Sequence, residues 1–392
     1  MDVIVGGGVV GLSVAWRLAR EGRPVTVVDP APASGASHAA AGMLAPVSEV
    51  TYTEAPLLRL GVAALRRWPA FATALADDAA LPPAGPGGVS GLDLRAEGTL
   101  DVAFGADDMA ALDELAAFME KLDLPVERLT GRECRRLEPM LAPSVRGGLL
   151  APGDAWVNPR RVTAALLAAL ERRGVRIVRA RVSELVRTDG AVTGVRLAEP
   201  PAVPDEGRAS APLAATDGRA GGEVLAAERV VLAAGAWSGE LAEVPVRPVK
   251  GQIMRLRSPQ PLLTRCVRGT VHGSPVYLVP RGDGELVVGA TQEELGYDTR
   301  VTAGGLYELL RDARELVPGV TELEVADVVA GLRPGTPDNL PVIGPGRTPG
   351  LTYATGHHRG GVLMAPLTAA ILLGEESELA ALCSPGRFRE IS

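Results

Sequence analysis

The sequence predicts an α/β protein in which a Rossmann-like dinucleotide-binding domain carries an inserted, discontinuous antiparallel β-sheet domain for a substrate. A chain of 392 residues is long for one hydrophobic core, so two domains are expected. A glycine-rich turn follows an apolar stretch within the first 11 residues. Strands of alternating polarity occupy the middle of the chain, whereas helical patterns and buried strands dominate its ends.

The chain opens with the pattern of a nucleotide-binding turn. Val3–Val5 reads as a short apolar strand, and Gly6, Gly8 and Gly11 follow with the spacing G-x-G-x-x-G. The first glycine permits the turn, the second admits a pyrophosphate and the third lets the helix pack on the sheet. Asp29, after the next predicted strand, would bind a ribose diol and repel the 2′-phosphate of NADP. The alternative is a structural glycine turn without a nucleotide.

Two further stretches extend this domain. Small side chains fill the loop 33–42, which favours a flat cofactor against its backbone, and an ordinary helix entry is the alternative. Asn158 and Pro159 predict a helix start and Gly174 predicts its end, before an apolar strand over 175–178. This second crossover would return the chain to the parallel sheet.

The remaining pattern divides into buried strands, alternating strands and a closing helix. Residues 230–235 predict a buried strand that ends in a small-residue turn, and residues 361–373 predict the last helix. Antiparallel strands are expected over 246–256, 275–280 and 285–289. The stretch 198–222, biased to Pro, Ala, Gly, Asp and Glu, predicts a poorly ordered surface excursion of unknown role.

Composition excludes several classes of protein. The net charge of −7 is spread in mixed sign, so no basic patch indicates nucleic acid. No run reaches the roughly 18 apolar residues of a membrane helix, and Asp2 argues against an export signal. Three widely spaced cysteines form no metal-binding pattern and are expected to be buried hydrophobes. We therefore predict a reduced, cytoplasmic protein without a metal.

Six stretches together resemble the FAD-dependent D-amino-acid oxidase superfamily, and within it the glycine oxidases of bacterial thiamine biosynthesis. The likeness runs from Val3 to about Gly374, and the stretches around Arg333 and Arg359 are the most specific. The stretches are Gly6–Gly11, Ala39–Leu44, Val276–Arg281, Gly289–Thr291, Gly331–Asp338 and Gly356–Gly361.

The resemblance implies tightly bound FAD and oxidation of glycine, sarcosine or small D-amino acids by hydride transfer to the flavin. Oxygen would take the electrons as H2O2, and the imine would hydrolyse to ammonia and an oxo acid such as glyoxylate, or feed a thiazole synthase. It also implies a homotetramer. The expected FAD-binding domain comprises residues 1–78, 143–240 and 326–392, and the substrate-binding domain comprises 79–142 and 241–325.

Four residues are the candidates for the catalytic site. Arg333, between a strand and a Pro-Gly turn, offers a planar guanidinium for the two oxygens of a substrate carboxylate, although a surface arginine is the alternative. Tyr277 could assist the same carboxylate or be a core tyrosine with a satisfied hydroxyl. By family position Arg359 and Gln292 would also line the site.

The cofactor residues follow from the glycine turn and from family position. Val9 and Val10 would lie at the pyrophosphate, Asp29 at the ribose and Val182 at the adenine. His358 is more simply a neutral loop residue, but it stays in the candidate set. The full set is Gly6, Gly8, Val9, Val10, Gly11, Asp29, Pro30, Ala36, Ser37, Ala41, Gly42, Met43, Val182, Gly235, His357, His358, Arg359, Gly360, Gly361, Val362 and Leu363.

Three departures from the family pattern affect these expectations. Pro275 stands where the family has a histidine, and Gln292 stands where it often has a methionine, so substrate range is open. No cysteine lies between Gly331 and Pro337, where related sarcosine oxidases attach flavin, so noncovalent FAD is expected.

No convincing base accompanies Arg333 and Tyr277 in the sequence, so we expect hydride transfer without an obligatory general base. Three alternatives remain at this point. A dehydrogenase could pass electrons to a membrane quinone, a nicotinamide enzyme could share the first motif, and a flavin-binding module could lack catalysis.

Overall fold

The computed structural model describes residues 1–49, 54–82, 91–199 and 222–388, so most of the predicted excursion 198–222 lies outside the described residues. The helices are α1 (Val9–Arg20), α2 (Gly35–Ala39), α3 (Ala55–Asp78), α4 (Ala106–Glu120), α5 (Gly131–Leu137), α6 (Pro159–Arg172), α7 (Ser238–Leu241), α8 (Ala303–Leu316), α9 (Gly361–Leu372) and α10 (Ser377–Leu382). The strands are β1 (Asp2–Val5), β2 (Val25–Val28), β3 (Met43–Leu44), β4 (Thr99–Ala103), β5 (Glu127–Thr130), β6 (Gly147–Ala151), β7 (Ala155–Trp156), β8 (Arg176–Val178), β9 (Val182–Thr188), β10 (Ala191–Leu197), β11 (Val224–Ala226), β12 (Arg229–Leu232), β13 (Arg247–Arg257), β14 (Cys266–Val271), β15 (Ser274–Pro280), β16 (Glu285–Gly289), β17 (Glu324–Gly335), β18 (Val342–Pro345) and β19 (Leu351–Thr355).

A six-stranded sheet with the order β18-β19-β12-β1-β2-β8 forms the nucleotide-binding half, which we call the parallel sheet. Its strands pair in parallel except for β18, which is antiparallel to β19. Ile4 faces a helical layer that includes α1, α3, α6 and α9, whereas Val3 and Val5 face the small sheet β11-β10-β9. Both faces of β1 are therefore buried, which explains its continuous apolar run.

The ends of the second crossover have the geometry that the sequence predicts. The Asn158 side chain accepts hydrogen bonds from the backbone N–H groups of Arg160 and Arg161, at 3.1 and 3.3 Å. Gly174 has a φ of +69°, a value that glycine adopts without strain, and β8 then pairs in parallel with β2. The predicted return to the parallel sheet is confirmed.

The second sheet has eight strands in the order β17-β13-β16-β15-β14-β4-β6-β5, and we call it the large sheet. Its pairings are antiparallel, as the sequence predicts, except that β4 and β14 pair in parallel. It also includes β6 and β17, although the predicted ranges 143–240 and 326–392 assign residues of both strands to the FAD-binding domain. A division of the chain by sheets would move these strands to the substrate-binding part, and the domain ranges stay a prediction.

Two further features concern helices and cysteines. Within the described ranges, no helix is long and apolar enough to cross a membrane. Cys134, Cys266 and Cys383 are buried, as the sequence predicts. Burial raises the pKa of the Cys134 thiol to about 11 and that of Cys383 to about 12, and it also raises the pKa of Cys266. The three thiols therefore remain protonated at neutral pH.

Candidate active site

A cavity of about 620 Å³ reaches from the glycine turn after β1 to the strands of the large sheet. At its first end, Gly6 has a φ of +113°, and a Cβ there would lie 2.2 Å from the Ala233 carbonyl oxygen. A Cβ on Gly11 would lie 2.0 Å from the Gly6 oxygen, so α1 packs directly on the turn. Only glycine fits these two positions.

Polar groups at this end of the cavity are oriented by local hydrogen bonds. The Val9 N–H, at the first turn of α1, donates to the Ser37 hydroxyl at 2.9 Å. Asp29 accepts the N–H of Gly7 at 2.7 Å and that of Ala31 at 2.8 Å, one on each carboxylate oxygen. Each oxygen keeps acceptor capacity for a ribose hydroxyl.

Two buried arginines of the large sheet hold the small-residue loop on the cavity wall. Arg255 Nη2 lies 3.2 to 3.4 Å from the carbonyl oxygens of residues 38, 39 and 40. Arg281 donates to the carbonyl oxygen of Val157 at 2.8 Å and to that of Ala41. Sequence reasoning missed this role. Arg255 stands among other charged residues in β13, and Arg281 directly follows β15, so neither position was distinctive in the sequence.

Arg333, on β17, and Tyr277, on β15, both line the cavity. The Arg333 Nη1 donates to the carbonyl oxygens of Thr291, at 3.2 Å, and Lys250, at 3.4 Å. These bonds leave Nη2 and Nε available for the two oxygens of a carboxylate. A Cβ on Gly251 would lie 2.4 Å from the guanidinium nitrogens, so this glycine provides the space for the group.

The Tyr277 ring lies over another glycine. A Cβ on Gly289 would come within 2.4 Å of the Tyr277 hydroxyl oxygen. Burial raises the pKa of Tyr277 to about 12, even though Arg333 opposes the shift. The hydroxyl is therefore protonated at neutral pH and can donate a hydrogen bond to an anion.

The loop before α9 contributes three neighbouring side chains. The Arg359 Nη2 pairs with Glu54 at 2.6 Å and donates to the Glu49 carbonyl oxygen at 3.0 Å. His357 is buried, and one ring nitrogen lies 2.8 Å from the Thr368 hydroxyl. Burial lowers the pKa of His357 to about 3 and that of His358 to about 4, so both rings are neutral. Neutral His358 agrees with the simpler interpretation of its sequence context.

Most of the residues predicted from the sequence line this one cavity, but not all of them. Pro275 and Gln292, the two departures from the family pattern, both line it. Gly11 contacts the turn rather than the cavity, and Gly360 and Leu363 line a small neighbouring cavity of about 40 Å³. The other predicted residues are all on the wall of the main cavity.

The structure adds Ser48, Glu49 and Arg268 to the wall, which sequence reasoning missed. Arg268 stands opposite Tyr277 in the register of β14 with β15. Its Nη1 donates to the Ser48 carbonyl oxygen at 2.6 Å. Asp154, fully buried behind this segment, accepts the Ser48 hydroxyl at 2.5 Å and the backbone N–H groups of Val47 and Ser48 at 3.3 and 3.2 Å.

Asp154 should make stability depend on pH in a definite direction. Burial raises the pKa of its carboxyl to about 6, against an ordinary value of about 3.9 in an unfolded chain. Because the folded state favours the neutral acid, this contribution is complete below about pH 4 and is lost as pH rises through about 6. Asp154→Asn should remove about 3 kcal/mol of pH-dependent free energy of unfolding. Urea denaturation of both proteins at acidic and neutral pH measures the difference, and identical pH dependence would contradict the prediction.

A parallel sheet with a glycine turn, joined to a mixed sheet with a cavity between them, defines the class of two-domain dinucleotide-binding oxidoreductases. The family described as FAD dependent oxidoreductase matches residues 3–373. The chain belongs to this family.

Relatives and solved structures indicate which members of this family the chain is similar to. The chain is 32% identical to a bifunctional protein ThiO/ThiG of Nostoc sp. over 94% of its own length and 51% of the relative's. It is 32% identical to a glycine oxidase of Geobacillus kaustophilus over 94% of this chain and 90% of that protein. The crystal structure of glycine oxidase from Geobacillus kaustophilus matches with a TM-score of 0.80 over 95% of this chain and 93% of that one. An iminodiacetate oxidase from Chelativorans sp. BNC1 matches at 25% identity and a TM-score of 0.79, over 96% and 95% of the two chains.

The chain spans about half the length of the ThiO/ThiG fusions that it matches. The family and fold expected from the sequence are confirmed, as is an FAD-dependent oxidoreductase of the glycine oxidase type. Three observations support a fit between these residues and FAD. The turn at Gly6 and Gly8 has no side chains, the cavity continues to Arg333, and His358 Nδ1 has no hydrogen-bond partner among the described residues.

Proposed function

We propose that this protein oxidises glycine and other small amines, including sarcosine and small D-amino acids, to an imine that hydrolyses to an oxo acid and ammonia. The observation that carries the proposal is that Arg333 and Tyr277, whose hydroxyl is protonated, line the same cavity. Together they offer donors for a single small carboxylate. Gly251 and Gly289 provide the room in which the two side chains lie.

FAD would supply the two-electron chemistry, accepting a hydride from the substrate α-carbon and passing the electrons to O2 as H2O2. Val9, Val10 and Asp29 would hold the adenosine diphosphate part, and Val182 would contact the adenine. The loop 36–43, fastened by Arg255 and Arg281, would support the flavin. The residues around His357 and Gly361 would complete the ring site at the start of α9. We propose that the attachment is noncovalent.

The chain's own residues supply position. Arg333 would fix the substrate carboxylate and so limit the rotation of the α-carbon. Such positioning converts an encounter into a unimolecular step and can account for much of a rate enhancement. Pro275 and Gln292 line the same cavity and would set how large a substituent the amine can carry.

Three wider proposals rest on similarity. The ThiO/ThiG fusions support a functional link to a thiazole synthase, to which the imine or glyoxylate would pass. We also propose a homo-oligomer and a cytoplasmic location. Size-exclusion chromatography with light scattering tests the homo-oligomer. Fractionation of the native cells tests the cytoplasmic location.

A substrate panel tests the reaction. Protein reconstituted with FAD is given glycine, sarcosine, D-alanine and D-proline, and H2O2, ammonia and oxo acid are measured together. Equal yields of H2O2 and oxo acid support an oxidase. Turnover with an artificial electron acceptor but not with O2 would indicate a dehydrogenase instead, and no turnover with any amine would contradict the proposal.

A further inference from the structure

The segment 47–49 is held on the cavity wall by contacts from three separate parts of the chain. Asp154 accepts hydrogen bonds from the N–H groups of Val47 and Ser48 and from the Ser48 hydroxyl. Arg268 donates to the Ser48 carbonyl oxygen at 2.6 Å, and Arg359 donates to that of Glu49 at 3.0 Å. These contacts fix the backbone of the segment, so the Glu49 side chain starts from a defined place on the cavity wall.

Glu49 shares its cavity with Arg333 and Tyr277, the residues that would hold the substrate. Glu49 lines the main cavity, and no side-chain hydrogen bond or ion pair engages its carboxylate among the residues that the structure describes. Its charge reaches Tyr277, whose pKa is raised by burial first and by Glu49 further, against the effect of Arg333. The pKa of the Tyr277 hydroxyl therefore responds both to Arg333, the proposed partner of the substrate carboxylate, and to Glu49.

We propose that Glu49 binds the amino group of the substrate and accepts a proton from it before hydride transfer. This inference rests on the proposed function and replaces the expectation that no base takes part. In the step, one N–H bond of the ammonium breaks and one O–H bond forms on Glu49. No electrons are exchanged. The neutral amine that results has a lone pair, which stabilises the α-carbon as an iminium when this carbon loses its hydride.

The other titratable groups around the segment are poor acceptors. These groups are Asp154, Cys266, Arg268, Tyr277, His358 and Arg359. Burial keeps the Cys266 thiol and the Tyr277 hydroxyl protonated and the His358 ring neutral, and the arginines are cations, so none of these groups is an anion that would pair with an ammonium. Asp154 is fully buried and already bonded to Val47 and Ser48. Among the carboxylates on the described cavity wall, Asp29 accepts the Gly7 and Ala31 N–H groups and Glu240 pairs with Arg181, which leaves Glu49 for the amino group.

The test measures the anaerobic rate of flavin reduction by glycine between about pH 6 and pH 10 in wild type, Glu49→Gln and Glu49→Asp. General base catalysis contributes about 10²- to 10⁴-fold, so Glu49→Gln should be slower by about 10²-fold or more at neutral pH. Its rate should then rise about tenfold per pH unit, because only the neutral amine reacts, and approach wild type at high pH. Glu49→Asp should recover part of the neutral-pH rate.

Two controls separate this inference from a structural effect and from the proposed function. FAD absorbance and the affinity for glycolate, a carboxylate without an amino group, should be unchanged in Glu49→Gln. Glu308→Gln, an exposed change on α8, should match wild type at every pH. A wild-type rate at neutral pH in Glu49→Gln, or an equal loss at all pH values, would overturn the inference. A wild type that no small amine reduces would instead overturn the proposed function.

Discussion

Replacing Arg333 by alanine is expected to lower kcat/KM for the preferred amino acid by about 10²-fold or more. The guanidinium is the proposed partner of the substrate carboxylate, and truncating one member of a buried charge pair costs about 2–5 kcal/mol. Since 1.4 kcal/mol corresponds to a factor of ten, this cost corresponds to a loss of about 30- to 4,000-fold in kcat/KM. Arg333→Lys should recover only part of it, because an ammonium cannot form the two parallel hydrogen bonds. Stopped-flow flavin reduction over a range of substrate concentrations measures both binding and rate.

The control for Arg333 is a substrate rather than a second mutation. A primary amine without a carboxylate should be oxidised poorly by wild type and Arg333→Ala alike, so the ratio between the two substrates should collapse in the variant. FAD content should be unchanged, since Arg333 lies on β17 of the large sheet, away from the glycine turn. An unchanged KM and kcat for glycine in Arg333→Ala would remove the main support for the proposed function.

Gly11→Ala should have the second large effect, on cofactor binding. A Cβ at this position would lie 2.0 Å from the Gly6 oxygen and 3.2 Å from the Ala233 Cβ, so α1 must move away from the turn. Overpacking of this kind costs about 1–3 kcal/mol and displaces the N–H groups that would face the pyrophosphate. We expect the FAD dissociation constant to rise at least about tenfold, as measured by quenching of flavin fluorescence.

A matched glycine provides the control for Gly11. A Cβ on Gly153 would have no heavy atom within 4 Å, and its φ is not in the left-handed region. Gly153→Ala should therefore bind FAD and melt like wild type. Wild-type FAD affinity in Gly11→Ala would show that the helix accommodates the methyl group and that the turn tolerates the displacement.

Local patterns predicted the structural elements around the first end of the cavity. The turn at Gly6, the cap at Asn158 and the strand at residues 230–232 each depend on near neighbours in sequence, and each is present. Arg333 and Tyr277 were identified by residue chemistry together with resemblance to a family. Arg333 approaches Gly251 because of the register of β17 with β13, and Tyr277 approaches Gly289 because of the register of β15 with β16. No local pattern specifies either register.

Non-local contacts also explain why the sequence did not reveal Glu49. Glu49 follows a small-residue loop and has no sequence neighbour that indicates a role, because its anchors Asp154, Arg268 and Arg359 are each more than 100 residues away. The parallel pairing of β4 with β14 is equally non-local, since β4 ends at Ala103 and β14 begins only at Cys266. Pairwise contacts between distant segments decide both features.

The most direct measurement is the visible spectrum of the FAD-loaded protein before and after anaerobic addition of glycine, D-alanine and sarcosine. The account predicts an oxidised flavin spectrum that bleaches with at least one of these amines and returns when O2 is admitted. Bleaching by glycine would make it the working substrate, and bleaching only by the larger amines would direct attention to Pro275 and Gln292. A flavin that none of the three reduces, or a protein that FAD cannot reconstitute, would contradict the account.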